Sequence, residues 1–239
     1  PTGLIEVATA LFWVGFIDDS RPLSPKVKLG LTLLCVGAAV ACGIRLDVTE
    51  YVWVDALLTM GWMVWLCHSL NVFDMEDGLS AGGALIAALG LWGIGGGDWL
   101  LFMVGVLLGF LIHSVYPARL YMGDAGALMF GFLLSVAAVS LSNDQGVSGG
   151  VGAFIIVGLP TFEAAFISVM RFAKGRSISV ASHDHVAHRL EQWGRSVPLA
   201  VGMIWTVGIV LAGLGYAVAM GVIVWWLGLL IGLLGALII

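Results

Sequence analysis

The chain has 239 residues, of which 60% are hydrophobic and 10% charged, with a formal net charge of −5 and a mean hydropathy of +1.06. About a quarter of the residues in a soluble globular domain are charged, so this composition excludes one and indicates an integral membrane protein. The acidic balance offers nothing to nucleic acid, and in a membrane chain the placement of each charge matters more than the sum.

A helix crosses a hydrocarbon core in roughly 20 residues, and nine apolar runs approach that length. The first, 3–17, ends on the pair Asp18 and Asp19, and the second, 28–45, follows "SRPLSPKV". The third, 52–70, leads into "NVFDMEDGLSAGG", which sets Asp74, Glu76 and Asp77 side by side. The fourth, 80–96, is rich in glycines that read as helix-packing positions. The fifth, 99–116, runs into "YPARLYMGDAG" with Asp124, and the sixth covers 126–142. The seventh, 150–172, carries Glu163 three residues after Pro160. An intramembrane acid is either functional or bonded to backbone groups that the proline frees, and the sequence leaves both open. After "SHDHVAHRL", runs 198–217 and 220–238 follow. The expectation is an all-α polytopic bundle, one integral membrane domain over 1–239. No signal peptide is visible, and Cys35, Cys42 and Cys67 show no metal or redox spacing.

Nine crossings sort the loops onto two sides. One side collects Arg21, Lys26, Lys28, Arg119, Arg171, Lys174, Arg176, Arg189 and Arg195, whereas the other holds only Arg45. By the positive-inside rule the first side is cytoplasmic. The same side receives Asp18 and Asp19, the 74–77 acids, Asp124 and the histidines of 183–188. Glu76 reads as a solvated neighbour in its cluster; Asp55, Asp98 and Asp144, on the other side, read as solvated, and His68 and His113 as interfacial.

Each carboxylate alone could be a solvated loop residue, but four polar constellations on one face point to a site. Clustered carboxylates beside Lys and Arg suit Mg²⁺ with a substrate phosphate, because Mg²⁺ takes oxygen ligands and neutralises charge in phosphoryl transfer. A zinc site on His183, His185 and His188 is the competing reading of the histidine loop.

Five blocks, in order over residues 11–190, resemble the polyprenyl-phosphate N-acetylhexosamine-1-phosphate transferases of glycosyltransferase family 4. They are "GFIDDSRPLSPKVKL", "NVFDMEDGLSAG", "YPARLYMGDAGALMFGF", "PTFEAAFISVMRFAKGRS" and "SVASHDHVAHRL". The resemblance implies attack of a polyprenyl phosphate, such as undecaprenyl phosphate, on the β-phosphorus of a UDP-sugar, with UMP released. GlcNAc-1-phosphate is the expected group transferred. It further implies Mg²⁺, with Mn²⁺ as a substitute, held by Asp124 and Asp19, and catalytic roles for Asp18, Asp19 and Asp77. Asn71, Asp74, His185, His188, Arg189, Lys26 and Lys28 are the implied substrate-binding residues. The implied setting is a multi-pass protein of the bacterial inner membrane with its active-site loops cytoplasmic, and a homodimer stays open.

The chain departs from the family pattern at Asp74 (usually Asn), Ser80 (Asp), Ser114 (Asn), Ala127 (Ser), His183 (Arg) and Ala187 (His). Asp74 is expected to compensate in part for the carboxylate lost at Ser80. Family members also carry further helices before the DD segment, so such helices are expected to precede this one. A catalytically lapsed scaffold and a secondary transporter are the alternatives. The transporter predicts midplane charges and an internal repeat that the sequence does not display.

Overall fold

The computed structural model describes residues 3–173, 175 and 185–236, and every regular element within them is helical. Lys174, Arg176 and His183 lie outside the described residues. The elements are α1 (Gly3–Ser20), α2 (Pro25–Ala41), α3 (Val52–Phe73), α4 (Leu79–Gly93), α5 (Trp99–Ser114), α6 (Gly123–Ile156), α7 (Gly158–Ala173), α8 (Val186–Gln192), α9 (Val197–Ala219) and α10 (Trp225–Ala236).

Among the described residues α3, α6 and α9 are long and apolar enough to cross a membrane, and α4 and α5 are shorter apolar helices. Two buried clusters share α6. One joins it to α1, α2 and α3 around Leu11, Val36, Met63 and Phe132; the other joins it to α3, α4, α5 and α9 around Leu70, Leu91, Leu107 and Ile204. The outside is also apolar: Phe102, Ile112 and Phe172 are exposed. Such a surface is a liability in water and the expected one against lipid.

The expected sixth and seventh runs differ in detail. Gly146 has φ 66° and ψ −153° inside α6, a conformation that no helix contains and that glycine adopts without a Cβ clash. The chain doubles back there, since a Cβ on Gly150 would lie 2.6 Å from Ser142 Oγ. The returning arm packs on α9 so closely that a Cβ on Gly152 would lie 2.6 Å from Gly215 O. The run expected at 150–172 is not one helix. It breaks at Val157, and α7 starts just before Pro160, which fits the first turn of a helix but not its interior.

Polar contacts gather at two places in the bundle. At one end Asn143 donates to Arg45 O (2.8 Å) and Gln145 to Ile94 O (2.5 Å), joining the 46–51, 94–98 and 143–149 turns. Asp55 lies here, but it is buried and not solvated: its carboxylate accepts the Thr49 N–H at 3.1 Å and holds the turn before α3.

Gly15 lets α1 approach α6 at the opposite end. A Cβ there would lie 2.3 Å from the Asp124 carbonyl and 2.4 Å from Ala125 N, with only backbone to yield. Gly15→Ala should therefore cost about 1–3 kcal/mol as an overpacked contact. It should also displace Asp18 and Asp19, which sit one turn further on the same face. Thermal unfolding in detergent, read beside activity, checks both effects.

Candidate active site

The second polar end is assembled around Lys28. Ser24 caps α2 by accepting the Val27 N–H (3.4 Å), and Pro25 occupies its first turn, so "SPKVK" starts a helix that projects Lys28 inward. Lys26, two residues away and so on another face, is exposed. The Lys28 ammonium pairs with Asp18 Oδ2 at 3.1 Å, donates to Asn71 Oδ1 at 3.1 Å and pairs with Asp124 Oδ2. Asn71 Nδ2 donates to the other Asp124 oxygen, and Asp18 Oδ1 accepts the Leu23 N–H at 2.6 Å. One cation thus sits among oxygens from α1, α3 and α6.

The start of α6 is held by two carboxylates from other helices. Asp19 Oδ1 accepts from Asp124 N (2.9 Å) and Asp19 Oδ2 from Ala125 N (3.1 Å), while Asp74 Oδ2 accepts from Gly123 N (3.0 Å). The first N–H groups of a helix lack partners within it, and anionic acceptors suit its positive end. Asp19 is therefore placed as a cap on α6, whereas Asp18, its neighbour, faces the Lys28 cluster. Asp77 Oδ2 accepts the Ala118 N–H at 2.9 Å, tying the 115–122 loop to the end of α3. Ser80 is fully buried, with its hydroxyl 3.3 Å from Met122 Sδ, so Asp74 and Ser80 touch consecutive residues leading into α6.

Burial, together with the charges of Asp124 and Asp19, raises Asp74 to about 6, against the lowering effect of the Gly123 N–H. The folded protein then holds a proton on Asp74 that the unfolded chain releases near pH 3.8, so this group's contribution to stability is present at low pH and lost as pH rises through about 6. Melting temperatures in metal-free buffer should fall over that window, and Asp74→Asn should flatten the fall.

The histidine loop contributes two separate pairs. His185 is buried, its Nδ1 3.3 Å from Glu163 Oε1, and the same oxygen accepts the Val186 N–H at 3.3 Å. Glu163 thus anchors His185 and the start of α8. His188 Nδ1 lies 2.8 Å from Glu76 Oε1 and 4.0 Å from Glu191 Oε2. Glu76 is accordingly not a solvated neighbour: burial first, then Glu191, raises it to about 7. Ligand atoms of Glu76, His188 and Glu191 all fall within 4.8 Å of one another, so among the described residues this trio could hold a cation. Arg189 stacks over Phe166, 5.2 Å from the ring centroid, packing α8 onto α7.

A cavity of about 520 Å³ opens beside the Lys28 cluster between α2, α3 and α7. Asp18, Lys28, Asn71, Arg171 and His185 line its polar end; Leu29, Trp65 and Ile167 are among its apolar lining. Sequence reasoning missed Glu191, which lies three residues after His188 on one helical face, and the cavity-lining role of His68 and Arg171. The i, i+3 spacing could have found Glu191; the cavity required the packing.

Asp124 fits the implied Mg²⁺, and Asp18 and Asn71 add carboxylate and carbonyl oxygens, the donors a hard cation prefers, beside it. Asp19, the other implied ligand, does not join them, because both its oxygens accept N–H groups at the start of α6.

Oxygen donors around a cation thus sit beside a cavity with both polar and apolar lining. Residues 2–142 match the Glycosyl transferase family 4 profile, and the chain belongs to that family. It is 28% identical over 226 residues to a probable undecaprenyl-phosphate N-acetylglucosaminyl 1-phosphate transferase of Bacillus subtilis, covering 87% of this chain and 63% of the relative. It is 28% identical to the decaprenyl-phosphate N-acetylglucosaminephosphotransferase of Mycolicibacterium smegmatis, covering 89% and 63%. It is 32% identical to the phospho-N-acetylmuramoyl-pentapeptide-transferase of Desulforudis audaxviator, covering 90% and 74%. The chain thus spans less than two thirds of the Bacillus and Mycolicibacterium proteins.

Proposed function

We propose that the protein transfers a sugar-1-phosphate, GlcNAc-1-phosphate first among candidates, from a UDP-sugar to a polyprenyl phosphate such as undecaprenyl phosphate. The observation that carries this reading is the Asp18–Lys28–Asp124–Asn71 cluster at the mouth of the cavity. An oxygen of the acceptor phosphate forms a bond to the β-phosphorus as the bond between that phosphorus and the bridging oxygen breaks. UMP leaves, and the sugar stays on a lipid pyrophosphate. A phosphate monoester is largely dianionic at pH 7, its second pKa being about 6, so the step needs no strong base. Lys28 neutralises and orients the phosphates, Asp18 and Asn71 hold Lys28, and Asp77, Asp19 and Asp74 position the loop and helix that present Asp124. Asp124 and Asp18 would hold Mg²⁺, which when bound would supply positive charge between two polyanions. On this reading His188 and Arg189, from the histidine loop, meet the nucleotide.

The membrane setting belongs to the same proposal: nine crossings, counting the two arms of α6 separately and the second together with α7 across the break at Val157, and the cluster on the cytoplasmic face of the bacterial inner membrane. The nine-to-one division of Lys and Arg supports that orientation.

The test uses membranes carrying the natural full-length protein, Mg²⁺, undecaprenyl phosphate and a panel of UDP-sugars, with UMP release as the readout. UMP with one sugar, dependent on both lipid and Mg²⁺, is the expected result. No UMP with any sugar from folded protein would favour the catalytically lapsed scaffold.

A further inference from the structure

Two polar atoms on the wall of the cavity, His68 Nε2 and Ser69 Oγ, are buried with no hydrogen-bond partner among the described residues. Ser69 is 1% exposed. A helical serine can satisfy its hydroxyl on the carbonyl one turn earlier, as Ser168 does on the facing wall at 2.7 Å from Ala164 O; Ser69 does not. A buried donor left unmade is costly and calls for an explanation. Two such atoms in sequence, on the wall of one cavity, are explained by a ligand that brings the acceptors.

Depth shows which part of the ligand they meet. Trp65, His68 and Asn71 follow at three-residue intervals on α3, so they share a face, each about 4.5 Å deeper than the next. On α7 the series Arg171, Ser168, Ala164 runs in the same sense. Away from the Lys28 cluster both series pass from polar to apolar, Asn71 through His68 to Trp65 and Arg171 through Ser168 to Ala164. Leu23, Leu29, Val72 and Met75 add apolar lining around the charges, so the cavity is matched to an amphiphile with its head at Lys28. A nucleotide sugar would lay its hydroxyls and base against Trp65, Ala164 and Ile167 and is mismatched to that end.

We infer that His68 and Ser69 form the recognition site for the ester end of the polyprenyl phosphate. His68 Nε2–H and Ser69 Oγ–H donate to the phosphate oxygens nearest the first isoprene unit, fixing the depth at which the remaining oxygens reach Lys28. The inference rests on the transferase reading and adds the contact that selects the acceptor. His68 and Ser69 act on substrate binding, so they should move the acceptor's KM and leave the donor's unchanged.

The experiment is steady-state kinetics on the natural full-length protein in lipid nanodiscs, with native mass spectrometry of undecaprenyl phosphate binding in the absence of donor. His68→Leu, which keeps the volume, should raise the acceptor KM about tenfold, the effect of losing a hydrogen bond to a charged group, with donor KM and kcat nearly unchanged. His68→Gln, whose amide reaches a similar point, should recover most of the loss, and Ser69→Ala should show a smaller rise. Lipid binding should follow the same order. A wild type that binds lipid and turns over, with the acceptor KM unmoved in both His68→Leu and Ser69→Ala, would overturn this inference and leave the transferase reading standing. A shift in donor KM alone would likewise overturn it. A wild type that neither binds the lipid nor turns over would remove the transferase reading and the inference with it.

Discussion

Asp124→Asn should lower turnover on the order of 10²–10³-fold while leaving the fold in place. Asp124 accepts from Asn71 on one oxygen and from Lys28 on the other, so the amide turns one acceptor into a donor facing a donor. It also removes half of the negative charge that holds Lys28, since Asp18 and Asp124 are its two ion-pair partners. The backbone contacts at the start of α6 survive, because the Asp124 N–H still reaches Asp19. Lys28 also keeps Asp18 as a partner, so melting temperature should fall less than in Lys28→Met while kcat for UMP release collapses. A variant with near-normal kcat would show that charge at Asp124 is not used in the transfer.

Lys28→Met should be the most destabilising single change at the site. The Lys28 and Asp18 side chains are only 14% and 13% exposed, and Asp124 20%, so deleting the ammonium leaves two largely desolvated carboxylates facing each other. Removing one partner from a buried ion pair costs about 3–5 kcal/mol because the remaining charge is uncompensated. Mg²⁺ offers a substitute charge at the same oxygens, and a ligand that binds the folded state raises its stability by mass action. Millimolar Mg²⁺ should accordingly raise the melting temperature of Lys28→Met more than that of the wild type, with turnover still depressed. Equal Mg²⁺ effects on both proteins would place the cation elsewhere, and the Glu76, His188 and Glu191 trio would become the site to test.

How much of this was legible in the sequence depended on whether a residue's partner was local. The apolar runs act within a few residues, and most of them reappear as helices, the run at 150–172 being the one that breaks. The break at Val157 was within reach of the same reasoning, since Pro160 three residues on cannot sit in a helix interior. Asp55 was misread although its partner, Thr49, is near in sequence; a carboxylate in the first turn of α3 can reach back to an N–H of the turn before it.

The polar end was legible in membership and not in roles. The sequence marked Asp18 and Asp19 as a pair, but consecutive helical residues point about 100° apart, so one meets Lys28 and the other caps α6. Asp74 showed itself only as an extra charge; its partner, the Gly123 N–H, is 49 residues away and becomes adjacent through packing. Glu76 looked solvated because its partner, His188, belongs to α8 and is remote in sequence. His68 read as interfacial because its wall of the cavity exists only when α2 and α7 close on α3.

The central claim, transfer of a phosphosugar and not of a sugar alone, is tested most directly by following the β-phosphate. With UDP-GlcNAc carrying ³²P at the β position, the natural full-length protein, Mg²⁺ and undecaprenyl phosphate, the account predicts label in the lipid fraction and unlabelled UMP in the aqueous phase. Label recovered as UDP, with unlabelled lipid-linked sugar, would contradict it.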